Sequence, residues 1–89
     1  MNAQTNPIYV EVLGILQIEG HVLASVKLLS GRIDVDMILE AEETGEQWRL
    51  VSFTTIPGEA YAKGIRSVEV EVMSDKAEIR PGMRLFVRN

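Results

Sequence analysis

Hydrophobic and polar residues alternate along most of the chain, and a period of two is typical of β-strands that bury one face. Within residues 20–39, one parity of the alternation is apolar. It consists of Val22, Ala24, Val26 and Leu28. Ser30 and Gly31 follow, and glycine provides the backbone freedom that a tight reversal needs. We therefore predict a β-hairpin that reverses at Ser30 and Gly31, onto which the other strands are added.

The same alternation predicts six strands in all, near residues 8–18, 22–28, 37–42, 47–54, 68–72 and 83–88. Gly14 lies inside the first of them and predicts a bulge. Residues 43–46 form the expected hairpin loop between the third and fourth strands, and residues 56–66 are the longest irregular stretch. Short strands at regular spacing indicate one small all-β barrel domain over residues 1–89, with the polar residues 1–6 disordered.

Two series of residues carry a resemblance to a known family. The first is Gly20, Val22, Val26, Gly31, Ile33, Val35 and Leu39. The second is Pro57, Gly64, the alternating run 68–72, Ile79, Gly82 and Met83. In spacing and residue class, residues 8–87 resemble the β-barrel domain II of elongation factor Tu and other translational GTPases. The resemblance implies a six-stranded Greek-key barrel of that type, and an SH3-like or oligonucleotide-binding barrel is the alternative.

The chain departs from the family pattern at Ser25 and Asp36, where the family often has glycine. Aspartate tolerates the left-handed conformation better than most residues, so we expect the turn at Asp36 to be kept. The chain has no Gly-x-x-x-x-Gly-Lys-Ser/Thr loop, so we expect no GTP hydrolysis. In the family this barrel contacts tRNA or ribosomal RNA. No binding residue is carried over, because no complete motif matches.

Composition narrows the classes of function. The chain has 89 residues, 46% of them hydrophobic, which suffices for one core, and it has no cysteine for a disulfide or a thiolate metal site. Its net charge of −4 argues against broad attraction to phosphate. Neither a leader pattern nor an apolar run of the ~20 residues that a membrane helix needs is visible. We expect a cytoplasmic protein without membrane contact.

Three groups of residues invite a chemical role. His21 is the single histidine, and the spacing offers it neither a nucleophile nor further metal ligands. The carboxylates near the loop at 43–46 lack the pattern of a calcium loop, and Asp34 and Asp36 fit turn chemistry. We therefore expect no catalytic residue, no metal and no cofactor, and an enzyme is the least favoured class.

The last strand carries a basic and aromatic stripe. Arg84, Phe86 and Arg88 share its outward parity, and Arg80 precedes them. Such a stripe can bind single-stranded nucleic acid, with a base on the ring and phosphates on the arginines. The competing explanation is cross-strand pairing of the arginines with Glu69 and Glu71.

A second candidate surface lies in the irregular stretch at Tyr61, Lys63 and Arg66. A tyrosine beside basic residues in a loop is a plausible protein contact. The alternative is that Tyr61 folds back as a lid over an open end of the barrel. Replacing Tyr61 by alanine should lower the melting temperature if it is a lid.

Apolar residues also occur on the parity opposite the expected core. Val51 and Phe53 have the parity opposite to that of Trp48 in the same strand. Leu13 and Ile15 likewise have the parity opposite to that of Val12. A single barrel has one interior, so a homodimer would fit. The function that follows is a stand-alone binding module for a protein or ribonucleoprotein partner, with RNA binding as the alternative.

Overall fold

The structure, a computed structural model, describes residues 7–73 and 77–88. The elements are β1 (Tyr9–Ile18), β2 (His21–Ser30), β3 (Ile38–Ala41), β4 (Gln47–Thr54), the short helix α1 (Gly58–Ala62), β5 (Ile65–Val72) and β6 (Arg84–Val87). The six predicted strands are thus confirmed. The disorder expected for residues 1–6 falls outside the described residues.

The strands close into one barrel in the order β1-β2-β5-β4-β3-β6, and all neighbouring pairs are antiparallel. Strands β3, β4 and β5 are consecutive neighbours, and β6 returns beside β3, which is the Greek-key arrangement. Closure removes the free edges that an open sheet would expose. The all-β fold class and the six-stranded barrel predicted from the sequence are confirmed.

The hairpin predicted at Ser30 and Gly31 is wrong. Strand β2 is hydrogen-bonded to β1 on one side and to β5 on the other, so it has no edge left for β3. The chain after Gly31 instead crosses the end of the barrel, with Ile33 only 8% exposed in the core. The real hairpin joins β1 to β2 at Glu19 (φ 43°) and Gly20 (φ 83°), two positive φ values that match a two-residue turn.

Two bulges change which residues face the core. In β1 the register shifts between Val12 and Gly14, which confirms the bulge predicted at Gly14. Because of this shift, Ile15 lies opposite buried Ala24 of β2. In β4 the register shifts between Leu50 and Ser52, so Phe53 lies opposite Val68. Directly opposed residues share a face of the sheet. Ile15 and Phe53 therefore belong to the inner face.

These bulges account for two of the four residues on which the homodimer prediction rests. Ile15 packs against the core of its own chain, and Phe53 reaches the inner side at the end of β4, where it is 40% exposed. A bulge reverses the alternation, so residues of both parities can serve one interior. Neither of these two residues needs a second copy of the chain. Leu13 remains 43% exposed, and the homodimer stays a prediction.

The core is apolar throughout the described residues. Its largest fully buried side chains include Trp48, Leu39, Leu50 and Leu85, and no polar residue is buried with them. Asp36 adopts φ 73°, as its turn requires, and its carboxylate accepts a hydrogen bond from Arg49. The left-handed turn expected at Asp36 is thus confirmed.

Candidate functional site

A cavity of about 420 Å³ opens at the end of the barrel where β4 finishes and β5 begins. Its lining includes Arg32, Ile33, Phe53, Ile56, Tyr61 and Arg66. These residues come from the β2–β3 crossing, the end of β4, helix α1 and the start of β5. The volume lies at the small end of the ~300–1,000 Å³ range of ligand pockets.

Arg66 is the best-defined charged group of this cavity. It lies opposite buried Val26 in the β2–β5 ladder, so its side chain leaves the strand on the inner face. Its guanidinium carbon lies 3.6 Å from the centre of the Tyr61 ring. Its Nη1 donates to the carbonyl oxygens of Tyr61 (3.1 Å) and Ile65 (2.9 Å). The guanidinium is held in place, while its Nε and Nη2 donors bond to no other described residue.

Helix α1 positions Tyr61 and Arg66 relative to each other. The helix ends at Ala62 with Lys63 as its C-cap, and Gly64 follows at φ 84°, a left-handed conformation that commonly terminates helices. The Gly64 N–H donates to the Tyr61 carbonyl (3.0 Å), and the Gly64 carbonyl accepts from the Leu28 N–H (2.8 Å). This turn therefore anchors the end of α1 to β2 and starts β5 at the cavity.

The structure brings two of the three residues of the predicted protein contact, Tyr61 and Arg66, into the cavity wall. Tyr61 is 58% exposed, and no residue of α1 is buried, so Tyr61 forms part of the cavity wall and does not close the barrel as a lid. Lys63 is exposed at the end of α1 and does not line the cavity. The cavity therefore brings together Tyr61, Arg66 and a residue that was not predicted, Arg32.

The charge at this cavity is opposite to that of the whole chain. Of the described residues that line it, Arg32 and Arg66 are cationic and none is a carboxylate. Neither arginine forms an ion pair in the described part of the chain. Thr54 and Ser67 add hydroxyls, with Thr54 Oγ1 donating to Ser67 Oγ at 2.5 Å. The result is an exposed cationic cavity with apolar walls.

Arg84 and Arg88 of the β6 stripe are exposed, as their outward parity predicts, but their cross-strand neighbours are not the expected ones. Strand β6 lies between β1 and β3, so its arginines are not neighbours of Glu69 and Glu71 on β5, and that competing explanation is wrong. Arg88 instead pairs with Glu40 of β3, with Nε 3.3 Å from Oε1.

The remaining residues of the stripe are also flanked by other side chains. Arg84 lies opposite Glu11 of β1, and its guanidinium carbon is 6.0 Å from the Tyr9 ring centre. Phe86 is partly buried and lies 6.3 Å from the same ring. Arg80 lies in the turn before β6, where its carbonyl accepts from the Met83 N–H. Carboxylates therefore border this face on both sides, at Glu11 and Glu40.

The other candidate groups form structural contacts. His21 Nδ1 lies 2.6 Å from Glu69 Oε2, and Glu69 is the one side chain bonded to His21 in the described residues. Arg49 joins Glu71 (2.9 Å) and Asp36 (2.5 Å) across the outer face of β4. The hydrogen bond and charge of Arg49 lower the pKa of Glu71, and the same contact with Glu71 raises the pKa of Arg49. No cluster of metal-ligating side chains occurs within residues 7–73 and 77–88.

Sequence reasoning missed Arg32 and Phe53 as members of the site. The signal for Phe53 was the conflict between its parity and that of Trp48 and Leu50, which a bulge resolves. Arg32 follows the turn glycine Gly31, and only the crossing of the chain over the barrel end brings it near Arg66.

No helix in the described part of the chain is long and apolar enough to cross a membrane. Comparisons with protein-family models, with curated proteins and with solved structures found no match.

Proposed function

We propose that this chain is a non-catalytic binding module that contacts a protein or ribonucleoprotein partner through the cavity formed by Arg32, Tyr61 and Arg66. The single observation that carries the proposal is the pair of arginines, free of carboxylate partners in the described structure, beside an exposed tyrosine. Tyrosine and arginine, with tryptophan, are enriched among the energetic anchors of protein interfaces. The resemblance of residue spacing to the domain II barrel of translational GTPases supports a partner near the translation machinery.

The preorganisation of this surface supports binding. Arg66 is fixed by two carbonyl acceptors and by the Tyr61 ring, so less side-chain freedom is lost when a partner arrives. Preorganised guanidinium groups bind carboxylates and phosphates in a two-pronged geometry. Arg66 is thus ready to bind an anionic group without rearrangement.

The alternative, single-stranded RNA binding by β6, retains one favourable observation. Tyr9, Phe86 and Arg84 form an aromatic and cationic group on the outer face of the barrel. A base could stack there. Glu11 and Glu40 lie directly beside it in the ladders and repel phosphate, so we place this function second.

The test is retention of partners from the native host's lysate by the immobilised protein, with and without nuclease. The cavity variant is Tyr61→Ala with Arg66→Gln, and the matched control is Phe86→Ala with Arg84→Gln, which removes a ring and a charge from β6. Circular dichroism confirms that each variant is folded.

We expect a partner that survives nuclease, is retained by the wild type and the β6 variant, and is lost by the cavity variant. A partner that is lost with nuclease and with the β6 variant would instead establish RNA binding. Retention of every partner by both variants would contradict both functions.

A further inference from the structure

The charge and shape of the cavity indicate what part of a partner enters it. We propose that it binds an acidic peptide segment of the partner, whose carboxylate meets Arg32 and Arg66 while a neighbouring apolar side chain packs on Ile33, Phe53 and Ile56. This inference rests on the proposed function, because it specifies the chemistry recognised by the same surface.

The charge of the cavity favours an anionic ligand. Arg66 has Nε and Nη2 donors left after Nη1 is bonded, and Arg32 forms no ion pair with a described residue. A carboxylate accepts such donors in parallel, and hydrogen bonds between charged groups are stronger than neutral ones. An anion is therefore the group that satisfies both arginines.

The extent of the positive charge separates a peptide from a nucleic acid. A single strand of RNA follows a continuous basic groove over several nucleotides. Here the charge is confined to one cavity of about 420 Å³. Arg66 leaves β5 on the inner face, whereas the outer face of the same strand carries Glu69 and Glu71, and the whole chain has a net charge of −4. A local anion fits this distribution, whereas a phosphate backbone would be repelled as it left the cavity.

The walls of the cavity supply the apolar half of the recognition. Ile33 is 8% exposed at the base, whereas Phe53 is 40% exposed, so part of this apolar lining is accessible. Covering such surface removes apolar area from water, which favours binding. A segment that alternates acidic and apolar side chains would use both parts of the cavity, whereas a free inorganic anion would use only the arginines.

The test uses three pools of immobilised random ten-residue peptides, read with the labelled full-length protein. One pool combines Asp and Glu with Leu and Phe, the second replaces the acids by Asn and Gln, and the third replaces them by Lys and Arg. The strongest binding peptide is then titrated in solution against the wild type, Arg66→Gln, Arg66→Lys, Arg32→Gln and the control Arg84→Gln. Melting temperatures confirm folding of each variant.

We expect the acidic pool to bind best and Arg66→Gln and Arg32→Gln each to weaken the chosen peptide by about tenfold or more. Arg84→Gln should change its affinity less than about twofold, since that residue lies outside the cavity. The affinity of Arg66→Lys should lie between those of the wild type and Arg66→Gln, because lysine keeps the charge but lacks the planar guanidinium with its parallel donors. Binding should weaken as salt rises.

Equal binding by the acidic and amide pools, or full affinity in Arg66→Gln, would overturn the inference, as would tighter binding of a twelve-nucleotide single-stranded RNA. The two proposals can fail separately. A lysate partner that is lost with Tyr61→Ala and Arg66→Gln, together with failure of the acidic pool, would keep the surface and reject the peptide class. Binding of acidic peptides without any retained lysate partner would reject the proposed function and keep the cavity chemistry.

Discussion

The two ends of the barrel hold cavities of similar size and opposite charge. The end at α1 has a cavity of about 420 Å³ lined by Arg32 and Arg66, and the other end has one of about 400 Å³ whose described lining includes Glu71 and Glu78. The same strands β4 and β5 contribute to both, one at each of their ends. The barrel thus presents a cationic end and an acidic end on one scaffold.

The aromatic residues and ion pairs differ in the same way between the ends. Trp48 forms part of the acidic end and is 2% exposed, whereas Phe53 at the cationic end is 40% exposed. Glu71 is paired with Arg49, while Arg32 and Arg66 have no ion pair among the described residues. Buried aromatics and paired charges stabilise a fold, and exposed aromatics with unpaired charges are available to a partner. We infer that the acidic end serves stability and the cationic end serves binding.

The largest expected difference between the ends concerns their aromatic side chains. Trp48→Ala should destabilise the fold by about 3–5 kcal/mol, because it leaves a cavity in the core. Phe53→Ala should cost only about 1–2 kcal/mol, because the ring is already partly in water. Urea unfolding measures both. A cost of Phe53→Ala equal to that of Trp48→Ala would show that the cationic end is part of the stabilising core.

The turn that builds the cationic end has the next largest effect. Gly64→Ala should destabilise by about 1–2 kcal/mol, since alanine is strained in the left-handed region. Gly58→Ala is the matched control, because Gly58 lies at the start of α1 without a positive φ and with open space around it. We expect that control to be neutral or slightly stabilising in the same unfolding experiment. Equal losses in the two variants would mean that the φ of Gly64 is not what the turn depends on.

The barrel itself could be predicted from local alternation, because each strand carries its own core parity. Val10 and Val12, or Val68 and Val70, identify their buried face without knowledge of their neighbours. The order of strands could not be predicted in this way. The local pattern at Gly31 predicts a hairpin between β2 and the next strand. In the barrel both edges of β2 are already paired, one with β1 and the other with β5.

Only part of the cationic end could be predicted from the sequence, because the local pattern does not show which distant segments meet. Tyr61 and Arg66 are close in the chain, so the sequence predicts them together. Arg32 and Phe53 reach them only through the β2–β3 crossing and the β4 bulge. Strict alternation from Trp48 and Leu50 places Phe53 on the outer face. The extra residue that a bulge inserts reverses this assignment, and the alternation pattern does not reveal it. Sites assembled from distant segments need the register of the sheet, and the register depends on the whole barrel.

The acidic end should show its ion pair in the pH dependence of stability. Arg49 holds the pKa of Glu71 below its ordinary value near 4.5. A carboxylate with a lower pKa in the folded state stabilises the fold above its unfolded pKa and loses that contribution as the pH falls through the folded pKa. The stability difference between wild type and Glu71→Gln should therefore be largest near neutral pH and shrink below about pH 4.5.

Urea unfolding at pH 7, 5, 4 and 3 measures this difference, and Glu42→Gln is the control. Glu42 is an exposed carboxylate without an ion pair among the described residues. Its variant should follow the wild-type profile at each pH. A Glu71→Gln profile parallel to the wild type from pH 7 to pH 3 would contradict the assigned role of Arg49.

The smallest expected effect concerns the charge of the cationic end. Arg32→Gln should change the free energy of unfolding by less than about 0.5 kcal/mol, because no described group is left without a partner. Arg49→Gln, which removes the same charge from the outer face of β4, should destabilise more, since it breaks contacts with Glu71 and Asp36. Raising the salt concentration should narrow that gap, because exposed ion pairs are screened. A destabilisation by Arg32→Gln as large as that by Arg49→Gln would mean that the arginines of the cationic end hold the barrel together, and the division of the two ends between stability and binding would be lost.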